Sequence, residues 1–322
     1  MKNFSNIPIP AKLIFISISI LMCTLCLMNY ETWSNRMDYS FGYLTPIFVA
    51  YIIFDRKEKI LEFFSRKDVD IKDNKFSKII YNTFFCIMML CSVSVITLFI
   101  LAFAFTGQKG GTFFGTSFGI VWYCFASFYM MAKTNKNTSL KKQLKFTSLF
   151  VFPCFIWLVS TPLFGAGEEL ISIKLLSIVA SITYNIMDSL GFVVTLRGNA
   201  LEFPNGSVGV AEACSGIRSL TACIFAGSFL AAAMLDKTWK KIALVIISMF
   251  FAFLFNLVRA LFLSFWAYEN GPDSISGAVH DAAGYFVLGM TVIGLLILVS
   301  LFNINPIPEE FRKKEKSTTE SE

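Results

Sequence analysis

The sequence predicts an all-α fold: a polytopic membrane helix bundle with about eight transmembrane helices. Three observations predict it. Of 322 residues, 55% are hydrophobic and only 16% are charged, where a soluble domain carries roughly a quarter charged residues. The apolar residues, 36 Phe among them, gather in runs close to the ~20 residues that cross a bilayer as a helix. The loops between those runs are alternately rich and poor in Lys and Arg.

Eight runs read as spans: 12–29, 40–54, 79–104, 113–132, 146–164, 214–235, 241–267 and 282–302. The first follows Lys2 and Lys12, as a secretory signal would. No small-x-small cleavage site comes after it, so it is read as an anchor. The second is short and is expected to draw on flanking polar residues. Loop 55–78 carries Arg56, Lys57, Lys59, Arg66, Lys67, Lys72, Lys75 and Lys78. Loop 133–145 carries Lys133, Lys136, Lys141, Lys142 and Lys145, and the turn 236–241 carries Lys237, Lys240 and Lys241. The tail adds Arg312, Lys313, Lys314 and Lys316. Among the alternate loops, 30–39 holds only Arg36, 105–112 only Lys109 and 269–281 no base. Basic loops stay in the cytoplasm. Both termini are therefore expected there, in a multi-pass protein of the cell membrane.

The connection 165–213 has structure of its own. Leu170 to Leu190 combines apolar residues at helical spacing with Lys174, Asn185 and Asp188. It reads as an amphipathic helix on the outer interface. A ninth span is the alternative, but it would invert every later loop against the charge rule. Gly198-Asn199 and Asn205-Gly206 are turn signals between β-prone pieces, which predicts a small β-hairpin. After Asn303 the chain is charged and rich in Ser and Thr, as disordered tails are. The divisions are spans one to five (1–164), the outer helix and hairpin (165–213), spans six to eight (214–302) and the tail (303–322).

Composition also excludes. The net charge is +6, but the bases cluster in loops rather than on one amphipathic face, so no nucleic acid partner is expected. Seven of the eight cysteines, at 23, 26, 86, 91, 124, 154 and 223, fall within apolar segments, where Cys behaves as a small hydrophobe. Cys23 and Cys26 have CxxC spacing without further ligands. No metal site and no cofactor is expected.

The eighth cysteine differs. Cys214 stands in Ala-Glu-Ala-Cys-Ser-Gly-Ile-Arg-Ser, where a polar loop enters span six. Arg218 follows at i+4 on the same helix face, and Ser215 adjoins the thiol. Arg259 lies about two turns before the outer end of span seven, with Asn256 one turn away on the same face. His280, the only histidine, stands just before span eight. On the charge-derived topology all three reach the outer leaflet. Each also has an ordinary reading: core packing for Cys214, snorkelling for Arg259, a solvated loop side chain for His280. The polar surroundings of Cys214 and the Asn256–Arg259 pair argue against the first two, and Asp281 would favour a charged imidazole.

The residue types suit acyl transfer. Nearby cations and a helix N-terminus favour the thiolate, the reactive form of cysteine. A fixed guanidinium can stabilise a tetrahedral oxyanion. An imidazolium can protonate the departing amine.

The blocks Ala213-Cys214-Ser215-Gly216-Ile217-Arg218-Ser219-Leu220, Asn256-Leu257-Val258-Arg259 and His280 with Gly284 resemble those of the exosortase/archaeosortase group of polytopic membrane transpeptidases. Asp38-Tyr-Ser-Phe-Gly-Tyr-Leu-Thr-Pro46 is similar to that group's early motif, which usually has His where Phe41 stands. The resemblance implies a cysteine transpeptidase or protease with Cys214 as nucleophile, completed by Arg259 and His280. Arg218, Asn256 and Ser215 are given supporting roles. It also implies substrates tethered to the membrane by a C-terminal sorting signal: a short motif, a transmembrane helix and a basic tail. The processed protein passes to a surface acceptor, a lipid or a glycan. A transporter, with Arg259 as substrate ligand, would show internal repeats or broken helices, and no repeat is evident. A non-catalytic scaffold for envelope or exopolysaccharide assembly would not need Cys214, Arg259 and His280 together.

The topology is testable directly. A reporter fused within 269–279 should be active only as an extracytoplasmic fusion. Cytoplasmic activity there would overturn the orientation.

Overall fold

The computed structural model describes residues 7–65, 73–108, 110–161, 165–209 and 217–303. The expected tail after Asn303 lies outside them. Helix α1 (Ile9–Asn35) leads through a 3-10 segment, Met37–Leu44, into α2 (Thr45–Asp55) and α3 (Lys57–Ser65). Then come α4 (Lys75–Thr106), α5 (Gly110–Lys133), α6 (Leu140–Ser148), α7 (Val151–Val159) and α8 (Gly165–Ser189). A small sheet precedes α9 (Ile217–Met234), α10 (Thr238–Asn270) and α11 (Ala278–Asn303). The chain is an all-α polytopic bundle, as its composition predicts. Among the described residues seven helices are long and apolar enough to cross a bilayer: α1, α4, α5, the α6–α7 stretch, α8, α10 and α11. Two shorter apolar helices, Tyr39–Asp55 and Ser219–Met234, occupy the places of the second and sixth expected spans. The 3-10 segment supplies the length that α2 lacks.

Most helices overrun their apolar runs. Hydropathy stops at the first polar residues, whereas a helix stops at a cap. In α4 the Asn74 side chain accepts the Phe76 amide at 3.0 Å, and Gly107, at φ 64°, ends the helix in the left-handed region.

The fifth expected span is broken. Pro153 has no amide hydrogen, so the carbonyl four residues earlier, Leu149 O, loses its helical donor. Arg56 Nη1 donates to that carbonyl, and Arg56 Nη2 donates to Ala232 O at 3.0 Å, in the last turn of α9. Arg56 is only 6% exposed. Burial lowers its pKa, with Asp55 opposing, and the guanidinium stays charged. Other cations and amides gather at this end of the bundle. Lys240 Nζ donates to Phe302 O, and Asn303 Nδ2 donates to Met234 O at 3.2 Å. Lysines and arginines are thus placed on helix C-termini, where the dipole favours them.

Helix α8 stands where the amphipathic helix is expected. Val179, Ala180, Thr183 and Met187 are buried along one face. The rest of its surface exposes Leu170, Ile171, Ile173 and Ile178 beside Lys174, Asn185 and Asp188. It is apolar around most of its circumference because its few polar residues are spread among isoleucines. Its buried face joins the C-terminal half of α10 (Ala260, Leu263, Ala267) and the sheet in one core cluster.

The expected hairpin is a three-stranded antiparallel meander. β1 (Thr195–Arg197), β2 (Ala200–Phe203) and β3 (Gly206–Gly209) pair in that order. Both turn signals act, so there are two successive two-residue turns: Arg197 pairs with Ala200, and Phe203 with Gly206. Gly198 takes φ 63° in the first. The sheet rests on the end of α10. Phe203 and Phe192 pack edge-on against Tyr268, and Asn205 Nδ2 donates to Tyr268 O at 3.4 Å.

Arg56→Met should cost about 3 kcal/mol, since two helix-terminal carbonyls lose a charged donor. Thermal unfolding in detergent, followed by tryptophan fluorescence, should show the lowered midpoint. Arg56→Lys should recover only part of it, lacking the fork that reaches both carbonyls.

Candidate functional site

The site is built where α9, α10 and α11 pack together. Small residues let them approach. A Cβ on Gly227 of α9 would come within 2.5 Å of Ser248 Oγ on α10, and one on Gly294 of α11 within 2.9 Å of Phe251 on α10. Cys223 of α9 faces Thr291 of α11. These contacts set the register of all three helices. They run from the basic end at Lys240 and Phe302 to the opposite end, where α10 carries Arg259 and α11 begins.

At that end Arg259 Nη2 lies 2.7 Å from His280 Nε2 and 3.4 Å from His280 O. A guanidinium has donors only. The ring nitrogen therefore accepts, which places the imidazole proton on Nδ1. The guanidinium lies over Gly284, where an added Cβ would meet Nη2 at 3.5 Å and Cζ at 3.7 Å. Gly284 is one turn from His280 on the same face, so the spacing of the two in sequence already marks this contact. Arg259 Nε is buried and has no hydrogen-bond partner among the described residues. Asn256, one turn below, is 5% exposed.

His280 is expected in a loop, but it lies in the first turn of α11. The chain bends through the 3-10 segment Pro272–Ile275, and Gly277, at φ 67°, admits the turn into the helix. The Asp281 amide then donates to Gly277 O at 3.1 Å, closing the first turn. The meander holds this connection: Gly206, at φ 137°, faces Pro272, whose Cγ would be 2.8 Å from a Cβ there. The helix gives His280 a fixed direction toward α10.

The other expected site residues are placed less fully. Cys214 and Ser215 lie outside the described residues. Arg218 lies in the first turn of α9, and its side chain is outside the description. The seven described cysteines are unbridged, and each lies within a helix. The early motif forms the 3-10 segment and the start of α2. Phe41 packs its ring 4.7 Å from Phe225 of α9. The residue that departs from the family's usual histidine thus fills apolar space between α9 and the 3-10 segment.

Fold and site together define a polytopic helical membrane protein with a guanidinium–imidazole pair at one end of its bundle. The chain belongs to the transmembrane exosortase family, whose sequence model matches residues 33–297. That match runs from the end of α1 into α11. No curated protein and no solved structure matches the chain.

With one histidine in the chain, imidazole 15N NMR reads this contact without overlap. The ring should show the Nδ1-protonated tautomer. Arg259→Met should abolish that bias. Gly284→Leu should weaken it by pushing the guanidinium aside, whereas Gly284→Ala, which meets only ordinary van der Waals distances, should leave it intact.

Proposed function

We propose that this exosortase is a cysteine peptidase or transpeptidase of the cell membrane. It cleaves the C-terminal sorting signal of exported, membrane-tethered proteins and transfers them to a surface acceptor. The observation that carries the reading is the 2.7 Å contact between Arg259 and His280, two of the three residues the chemistry requires.

The helix register supports a place for the third. Ile217, where α9 begins, stands six residues before Cys223, and Tyr285 stands six before Thr291 in α11, next to Gly284. Counted from the Gly227–Ser248 contact, Ile217 comes level with Val258, next to Arg259. Two residues separate Cys214 from Ile217, and the three steps of chain reach at most about 10 Å by any path. Orientation follows from charge: Arg56, Lys59 and Lys240 lie at the opposite end, which the positive-inside rule assigns to the cytoplasm.

The reaction then runs as follows. His280, unprotonated at Nε2, takes the thiol proton of Cys214. The imidazolium can no longer accept from Arg259, so the guanidinium is released to face the oxyanion that forms when the thiolate attacks the scissile carbonyl. Arg259 Nε–H is a further donor for it. The tetrahedral intermediate collapses, the C–N bond breaks, and the leaving amine takes the proton from His280. A thioester on Cys214 remains. A hydroxyl or amine of the acceptor, or water, then attacks the thioester and restores the thiol.

The test is to trap that thioester on a substrate bearing motif, helix and basic tail. Cys214→Ala should give no adduct. Arg259→Lys should form it roughly 10²–10³ times more slowly, because an ammonium lacks the planar fork. Wild type should show a bell-shaped pH profile whose limbs belong to the Cys214–His280 couple. His280→Ala should flatten it. A normal adduct rate and unchanged pH dependence in His280→Ala would remove His280 from the mechanism. A membrane-impermeant thiol reagent should label Cys214 ahead of the other seven cysteines.

A further inference from the structure

A cleft of about 850 Å³ lies between α1, α2 and α7, on the half of the bundle away from Arg259 and His280. That volume is in the range of sites that hold small-molecule ligands. Its floor is α7, where the break before Pro153 keeps the helix short; Cys154 and Trp157 line it. Ile16, Ala50 and Phe54 on its rim are exposed, so the cleft opens sideways, toward lipid. Along α1 it extends from Ala11 to Cys26. That is about 22 Å at 1.5 Å per residue, enough to take an acyl chain across one leaflet of ~15 Å.

The lining is apolar apart from Ser19 midway along it and two lysines near one end. The charged side chains on it are Lys12 and Lys57, and no acidic residue lines it. Lys57 Nζ stands 3.9 Å from the Phe54 ring centroid. Neither ammonium has a carboxylate partner among the described residues. Two unpaired cations at the mouth of a chain-length apolar cleft select an amphiphile with an anionic head. A basic-tailed helix, or the N-terminal segment with its Lys2, would instead bring like charge to Lys12 and Lys57. We infer that the α1–α2–α7 cleft binds an anionic phospholipid of the leaflet at the basic end, with an acyl chain along α1 and the phosphate between Lys12 and Lys57.

The full chain reconstituted in phosphatidylcholine bilayers tests this with spin-labelled phosphatidylglycerol and phosphatidylcholine. The motionally restricted fraction should favour phosphatidylglycerol by roughly fivefold for each lysine. Lys12→Gln with Lys57→Gln should remove that preference and leave phosphatidylcholine association unchanged. Lys141→Gln with Lys145→Gln, on α6, which contributes no residue to the cleft lining, should not alter it. Ala50→Trp, which fills the cleft and keeps both lysines, should also lose the restricted phosphatidylglycerol. Gel filtration and thermal midpoints establish that each variant is folded. An equal loss in both lysine pairs would show attraction to the whole basic surface and overturn the site. So would restriction that appears only once residues 2–6 are deleted, which would give the cleft to the N-terminal segment.

Discussion

The register among α9, α10 and α11 is the constraint on which the Arg259–His280 contact depends. Gly227 against Ser248, Gly294 against Phe251 and Cys223 against Thr291 leave little freedom to slide. A shift of one residue turns a helix face by about 100°. That would take Arg259 off the α11 face where His280 and Gly284 stand. The close approach needs small residues because, within a bilayer, packing between helices rather than water exclusion holds them together.

Arg56 does comparable work at the other end. A proline in a membrane helix frees a carbonyl, and a carbonyl left bare in a bilayer is costly. One buried guanidinium satisfies both that carbonyl and the last turn of α9. It thereby ties α2, α7 and α9 at the end where α9 finishes. The same break keeps α7 short and leaves the lateral cleft above it. The meander performs the matching task at the opposite end, by seating β3 on the connection that delivers His280.

Much of the architecture was legible in the sequence, and for identifiable reasons. Apolar runs of bilayer length located the helices, because burial in lipid leaves little alternative conformation. Gly198-Asn199 and Asn205-Gly206 announced both turns of the sheet. The count of strands was less legible, since two turn signals close together suit either one hairpin with a loop or a meander. The packing of α8 was less legible for a similar reason. Its scattered polar residues suggested two faces, while its buried stripe is set by α10 and the sheet, which hydropathy along the chain does not see.

The residue types of the site and their approximate depth were determined by sequence alone, through the placement of Arg259 and His280 near the ends of apolar runs. So was membership in the transmembrane exosortase family. Only the tertiary structure decided that His280 belongs to a helix rather than a loop. It also decided that the imidazole meets Arg259 through Nε2 and that Gly284 makes room for the guanidinium. Depth follows from hydrophobicity, which each residue contributes independently. Rotation about a helix axis follows from the neighbours that a helix packs against, and those lie far away in the chain.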